Sequence, residues 1–403
     1  MQARRMLLIA APGQGAQVPG FLAPWLELPG FADRLEAWSQ ITGHDLIRCG
    51  TVAGAEEIRD TAVAQPLLVA AGLAAAEVLS GGLGQASRLA GAAAGHSVGE
   101  LVAGVIAGTL TAEDALRLVT VRGQAMARAA AAEPTGMTAV LGGDEAAVLA
   151  SIEAHGLTPA NVNGAGQIVA AGTLPELEAF AADPPAGARL RPLSVAGAFH
   201  TVHMAPAVGA LREAAATVTV RDPVLTLLSN RDGSVVRTGT DWLERIVTQV
   251  STPVRWDMCM KAMASLGTTA LIELPPAGAL TGLARRALPG IQLVSLKTPD
   301  KLDAARALIA EHADSHADSH APEWRLLVAP LAGTFRACPG RSASAEPGAA
   351  VSTGAELGHV ELRGDSQRIT LSFPATIIEW LVEDGDPVSA GQPLVRLQPD
   401  GSE

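Results

Sequence analysis

The chain is short of the residues that mark several common functions. It has three cysteines in 403 residues, Cys49, Cys259 and Cys338, with no metal-ligand spacing, so free thiols in a reducing compartment are expected. No cluster of lysine or arginine stands out and the formal net charge is −12, which argues against nucleic acid as a partner. Uninterrupted apolar runs are also missing. The greasiest stretch, Ala62 to Leu79, is broken by Gln65, Pro66 and Glu77, and reads as a buried helix with no membrane role. The opening Met1-Gln2-Ala3-Arg4-Arg5, followed by apolar Met6 to Ala11, imitates a secretory signal. Its apolar part is too short and runs straight into Pro12-Gly13-Gln14-Gly15, so it reads as a first buried strand of a cytoplasmic protein.

The length suffices for two or three domains. From Met6 to about Ala313 short apolar runs alternate with helical patterns. Strands are expected at Leu7–Ala10, Leu89–Ala94, Met137–Leu141, Gln167–Ala171, Leu190–Val195, Leu225–Leu228, Thr269–Glu273 and Gln292–Leu296. Helices are expected at Ala112–Ala131, Asp241–Val250 and Asp303–Glu311. This alternation predicts an α/β core with a largely parallel sheet. Between about Glu133 and Ala196 the order becomes strand-helix-strand-strand-helix-strand, with helices at Asp144–His155 and Pro175–Ala182, which predicts an inserted α+β subdomain of ferredoxin-like type. His312, His316 and His320 then recur with Ala-Asp-Ser between them. Such spacing could place a metal on one helix face, but a polar linker over 314–322 is the plainer reading, and no metal site is expected.

The chemistry gathers around Gly95-His96-Ser97-Val98-Gly99, which follows an apolar run and precedes the helical stretch Glu100 to Ala107. A serine between two glycines at a strand-to-helix junction has the pattern of a nucleophile elbow: the tight turn projects the hydroxyl, and the helix N-terminus faces any negative charge that forms there. Pro12-Gly13-Gln14-Gly15-Ala16-Gln17 is a glycine-rich turn after the first strand. It lacks the lysine of a phosphate loop, and it could pair the Gln14 N–H with that of Val98 as an oxyanion hole or be a plain tight turn. Ser97 needs a base, and His44, His96, His155, His200 and His203 are available. His200, in Gly197-Ala198-Phe199-His200, follows the expected strand Leu190–Val195 and so is expected at the carboxyl edge of the sheet, although a helix-capping role has the same spacing. By position alone Arg122 reads as a surface arginine of a helix.

Together, Gly95 to Glu100, Pro12 to Gln17, Ala198-Phe199-His200, Val162 to Ile168, Gln249-x-x-x-Pro253-Val254-Arg255-Trp256 and Leu280 to Leu283 resemble the malonyl-CoA:acyl carrier protein transacylases, actinobacterial members in particular. The resemblance runs from about Met6 to Ala313. It implies an acyltransferase core over 1–313, with Ser97 as the nucleophile that becomes malonylated and His200 as general base and acid. It further implies that the Gln249 carbonyl orients the His200 ring, that Gln14 and Val98 supply the oxyanion N–H groups, and that Arg122 grips the malonyl carboxylate. Phe199 would leave little room for an α-methyl. Malonyl-CoA and an acyl carrier protein would be the partners, for fatty-acid or polyketide synthesis, with no cofactor. The rivals are a serine hydrolase or thioesterase, which shares the elbow, and a carboxylase-associated scaffold. Ala11, Ala16 and Pro275-Pro276-Ala277 depart from the family pattern without removing a catalytic group.

Beyond Glu323 the texture changes to short strands with turns. Gly348-x-x-Val351-x-x-Gly354-x-x-Leu357-x-x-Val360 recurs as Gly385-x-x-Val388-x-x-Gly391-x-x-Leu394-x-x-Leu397, an offset of 385 − 348 = 37 residues. With Val328 to Phe335 and Phe373 to Gly385, this repeat resembles biotin carboxyl carrier domains, which implies a small all-β flattened barrel of biotinyl/lipoyl-like type over 323–403. The hairpin that would present the attachment lysine reads Glu361-Leu362-Arg363-Gly364-Asp365-Ser366-Gln367, and no lysine follows Lys301. The carrier function is therefore missing, leaving a degenerate barrel or a docking module, with acetyl-CoA carboxylase components as the expected partners. Incubation with biotin, ATP and a biotin ligase should add no mass to the segment beyond Lys301. A biotin adduct there in the intact-mass spectrum would refute that reading.

Overall fold

A computed structural model of the chain describes residues 6–317, 325–338, 348–362, 365–371 and 373–399. It divides into two compact units, Met1–Ala317 and Asp318–Glu403.

The strands of the first unit are, in chain order, β1 Met6–Ala11, β2 Ala92–Gly95, β3 Thr135–Gly142, β4 Thr158–Gly164, β5 Gln167–Thr173 and β6 Ala188–Pro192. There follow β7 Thr226–Leu228, β8 Val235–Val236, β9 Val254–Arg255, β10 Thr268–Glu273 and β11 Gln292–Ser295. The main sheet has the order β11-β10-β1-β2-β7-β8 and is parallel except for β8 at its edge. Its centre, β1, is apolar throughout because helices cover both faces. Leu7, Ile9 and Ala11 join one buried cluster, while Met6, Leu8 and Ala10 join the other. The helix Thr61–Ser80 is long and apolar enough to cross a membrane, yet it lies almost wholly within the larger cluster. Because the main strands run the same way, the segments after β1, β2, β7 and β10 all emerge at one sheet edge.

A second sheet, β6-β3-β5-β4-β9, packs the helices Glu145–Ala154 and Leu174–Ala182 around their own small core. The connectivity of β3 to β6 and their spatial order are those of a ferredoxin-like subdomain. The short strand β9 joins parallel to β4, tying this sheet back to the main body.

Three expectations change. The strand expected at Leu89–Ala94 begins only at Ala92, because Leu83–Arg88 forms a 3-10 helix and Leu89 and Ala90 are packed into the core. The strand expected at Leu190–Val195 is β6, antiparallel to β3 at the edge of the second sheet, so His200 does not follow a strand of the main sheet. It is delivered by the chain returning from the insertion. The last helix of the unit spans Leu302–Ala317, longer than expected. His312 within it is buried, with Nε2 3.1 Å from Thr269 Oγ1 and Nδ1 2.8 Å from the Leu308 carbonyl, so the histidine repeat begins in packed structure. The rest of the expected linker, from Asp318 to Pro322, lies outside the described residues. Among the described residues no cluster of metal-ligating groups occurs.

The second unit consists of β12 Arg325–Val328, β13 Gly333–Ala337, β14 Ala350–Val351, β15 Glu356–Leu362, β16 Asp365–Thr370, β17 Ala375–Trp380, β18 Pro387–Val388 and β19 Pro393–Pro399. They form two antiparallel sheets, β12-β19-β17-β14 and β16-β15-β13-β18. The repeat is structural: 387 − 350 = 37 relates β18 to β14, and 393 − 356 = 37 relates β19 to β15, each pair occupying the same position in opposite sheets. Gly354 and Gly391 both adopt positive φ, and Val351, Val388, Leu357 and Leu394 are all buried. The expected carrier hairpin is the β15–β16 turn, of which Arg363 and Gly364 lie outside the described residues.

One buried carboxylate shapes the sheet edge. Glu273, at the end of β10, accepts from the Leu280 N–H at 2.9 Å and from the Gly278 N–H, the Thr281 N–H and the Thr281 hydroxyl at 2.8 Å each. It thereby caps the helix Ala279–Ala287, satisfying donors that a helix start leaves open. Glu273→Ala should destabilise the unit by about 3 kcal/mol or more, because these buried donors lose their acceptor. Glu273→Gln, which keeps one acceptor oxygen, should cost less. Urea-unfolding midpoints followed by tryptophan fluorescence check the order, and equal midpoints for the alanine variant and wild type would refute it.

Candidate active site

Ser97 sits on the turn between β2 and the helix Gly99–Ile106, with φ +52°. The two glycines are required by close approach. A Cβ on Gly95 would lie 1.9 Å from the Gly99 carbonyl carbon, and one on Gly99 would lie 2.2 Å from the Ala11 carbonyl oxygen of β1. The strand, turn and helix thus fold against one another with no room for side chains, leaving Ser97 at the tip.

The Ser97 hydroxyl lies 2.8 Å from His200 Nε2. His200 is also left-handed, at φ +62°, and its N–H donates to the Val250 carbonyl at 2.9 Å, so backbone and ring are both fixed from the segment after the helix Gly239–Gln249. Its Nδ1 lies 2.8 Å from the Gln249 carbonyl oxygen. A carbonyl can only accept, so Nδ1 carries the proton and Nε2 presents its lone pair to the serine. Burial, and next the positive charge of Arg122, push the His200 pKa down to about 3. The imidazole is therefore neutral at physiological pH.

Arg122 lies on the helix Ala112–Ala132 and is buried, not on the surface where its position alone would place it. Its Nη1 donates to Gln65 Oε1 at 2.6 Å and its Nη2 to Gln249 Oε1 at 2.8 Å, while Nη2 also lies 3.3 Å from Ser97 Oγ. Burial lowers its pKa to about 10, with Glu100 acting in the opposite sense, so it stays charged. Gln249 thus serves twice, through its carbonyl to His200 and through its side chain to Arg122.

Gln14 stands in the loop after β1. Its Nε2 donates to the Arg59 carbonyl at 3.2 Å and to Thr61 Oγ1 at 3.3 Å, which pins the loop against the start of the helix Thr61–Ser80. The amides of Gln14 and Val98 have no hydrogen-bond acceptor among the described residues. Phe199 is buried in the larger core cluster, directly before His200. His96 turns away from its neighbour, with Nε2 2.8 Å from Asn163 Oδ1. His44, His155 and His203 make no contact with the serine; His203 pairs with Glu133 and His155 lies near Asp183. A cavity of about 590 Å³ opens beside the elbow, lined by Gln14, His96, Asn161, Asn163 and Arg286 among others.

Three polar residues of this site carry no role in the sequence reading. Asn230, after β7, accepts the Ser97 N–H on Oδ1 at 2.7 Å and donates Nδ2 to the Gly95 carbonyl at 2.7 Å, clamping the elbow from both sides. Gln65 is the buried partner of Arg122; its signal was an amide inside an otherwise apolar helix. Glu100 follows the elbow glycine and is buried, receiving the Asn230 N–H and the Gln249 side-chain amide. Burial raises its pKa to about 8, opposed by the Asn230 N–H and then Arg122.

Comparison with known proteins agrees with this geometry. Residues 11–313 match the acyl transferase domain family. A malonyl CoA-acyl carrier protein transacylase of Mycobacterium tuberculosis is 52% identical over 301 residues, covering 74% of this chain and 98% of the relative. The enzyme of that name from Escherichia coli is 34% identical over 304 residues, covering 74% and 97%. A crystal structure of MCAT from Mycobacterium tuberculosis superposes with a TM-score of 0.71 at 51% identity, covering 74% of this chain and 99% of that one. These matches cover the first unit, and through it the chain belongs to the malonyl-CoA–acyl carrier protein transacylases.

Proposed function

We propose that the first unit transfers malonyl from malonyl-CoA to the phosphopantetheine thiol of an acyl carrier protein through a malonyl-Ser97 ester. The observation that carries this reading is the buried, charged Arg122, with Nη2 3.3 Å from the Ser97 hydroxyl. A fixed cation beside the nucleophile selects an acyl group that bears its own carboxylate, and a guanidinium can hold that carboxylate with two N–H groups. A general serine hydrolase has no use for such a charge.

In the first half-reaction Ser97 Oγ attacks the thioester carbonyl as its proton passes to His200 Nε2. The amides of Gln14 and Val98 are the donors for the oxyanion. The C–S bond then breaks, and the coenzyme A sulfur leaves with the proton returned by His200. In the second half the carrier thiol gives its proton to the same nitrogen, its sulfur attacks the ester carbonyl, and Ser97 Oγ leaves and recovers the proton. The cavity beside Gln14 and His96 gives both thiol-bearing arms a route to the elbow. Phe199, packed behind His200, would limit the width available to an α-branch. The product would feed fatty-acid or polyketide synthesis.

For the second unit, the 37-residue repeat across two antiparallel sheets supports a biotin-carrier type of barrel. Without its lysine such a barrel fits a docking role, toward the carboxylase components that supply malonyl-CoA.

Two outcomes test the transferase reading. Malonyl-CoA without carrier protein should leave a malonyl adduct on Ser97, absent in Ser97→Ala. Because the His200 pKa lies far below its ordinary value, the rate of adduct formation should stay level from pH 8 to about pH 5. A fall centred near pH 6.5 in rapid-quench measurements, or an adduct on another peptide, would refute it. Arg122→Ala should lower malonyl loading by about two to three orders of magnitude, the scale for removing one partner of a buried charge pair. Its relative tolerance for acetyl-CoA should rise, and Arg122→Lys should rescue poorly. An unchanged malonyl-to-acetyl ratio would remove Arg122 from the binding role.

A further inference from the structure

Among the described residues, Glu100 is the one buried carboxylate whose hydrogen bonds reach both halves of the site. One oxygen accepts the Asn230 N–H at 2.7 Å, and Asn230 in turn holds the Ser97 N–H and the Gly95 carbonyl. The other accepts the Gln249 side-chain amide, whose own oxygen receives Arg122 Nη2 at 2.8 Å. An arginine can only donate, so the Gln249 oxygen has to face Arg122, and the Glu100 oxygen opposite the amide NH2 has to accept. The Gln249 amide between them is therefore forced into one orientation, NH2 toward Glu100 and oxygen toward Arg122. The two ends of an amide are nearly the same size, so packing alone would not select it.

We infer that Glu100 is a positioning residue for malonyl selection: by fixing the direction of the Gln249 amide it fixes the guanidinium of Arg122 beside Ser97, and through Asn230 it holds the serine in register with that charge. This rests on the transferase reading above.

Glu100→Gln is nearly isosteric but brings its own NH2. If its oxygen keeps the Asn230 N–H, two NH2 groups meet at Gln249; the Gln249 amide then turns over and points a donor at Arg122. Glu100→Gln should therefore lower the malonyl-to-acetyl ratio of kcat/KM for Ser97 loading by on the order of 10- to 100-fold, chiefly through KM for malonyl-CoA. Gln249→Met keeps the backbone carbonyl for His200 but deletes the amide link, and should show a loss of the same size. The double variant should lose no more than the larger single loss, because both break one chain. The four proteins are compared for malonyl and acetyl loading by mass spectrometry, with thermal midpoints measured alongside. If Glu100→Gln fails to fold, Gln249→Met decides alone. An unchanged ratio in either folded single variant, or losses that multiply in the double, would overturn the inference. Wild-type protein that loads neither acyl group would instead overturn the transferase reading beneath it.

Discussion

Arg122 is a buried guanidinium whose hydrogen-bond partners are all neutral oxygens, those of the Gln65 and Gln249 side-chain amides and the Ser97 hydroxyl. Transferring an arginine out of water costs several kcal/mol even after the protein relaxes, by about the measure known for buried ions. A carboxylate in contact would offset that cost but would also neutralise the charge. Neutral acceptors take hydrogen bonds from both terminal nitrogens, leave Nε without a partner among the described residues, and leave the positive potential in place. The nearest buried carboxylate, Glu100, stands one amide further away. Much of the surrounding structure follows from keeping this cation ordered yet unneutralised: an amide inside the apolar helix Thr61–Ser80, an amide at the end of the helix Gly239–Gln249, and a buried acid behind the elbow.

The fold supplies these groups from distant parts of the chain because a parallel sheet brings its strand ends to one edge. The loop with Gln14 follows β1, the elbow follows β2, and Asn230 follows β7. Hydrogen bonds such as Ser97 N–H to Asn230 Oδ1 then close the site at separations of more than a hundred residues. His200 reaches the same place by another route, from the return of the inserted subdomain, and its left-handed backbone is locked to Val250. Fixed backbone at both Ser97 and His200 is what holds the dyad at hydrogen-bond distance before any substrate arrives.

What could be read from the sequence was local. The glycines around Ser97 announce a turn because their pattern is compact, although only the need of Gly95 lies within five residues and that of Gly99 is set by Ala11 of β1; the 37-residue repeat of the tail shows because its turns and buried positions recur at one period. Leu190–Val195 has the pattern of any strand, and nothing in it tells which sheet it joins; it joins the second. Arg122 has the look of a surface arginine, since burial of a charge is decided by what packs over it from elsewhere. Asn230 gives no local sign, as its work is done across 133 residues of chain. Gln65 left one trace, a polar residue breaking an apolar run, which was legible as an interruption but not as a partner.

The third member of the Ser97–His200 arrangement is a backbone carbonyl, and the neighbouring charge gives a reason for it. Gln249 holds His200 with its main chain and Arg122 with its side chain, so a carboxylate orienting the imidazole from this position would stand close to the guanidinium as well. It would favour an imidazolium, opposing the burial and the Arg122 charge that now keep His200 neutral. It would also compete with an acyl carboxylate for the same cation. A carbonyl fixes the same tautomer through the same Nδ1–H without adding a charge. The choice of carbonyl over carboxylate is thus coupled to the choice of an anionic acyl group: a site that keeps a bare cation beside its nucleophile has to orient its base with a dipole.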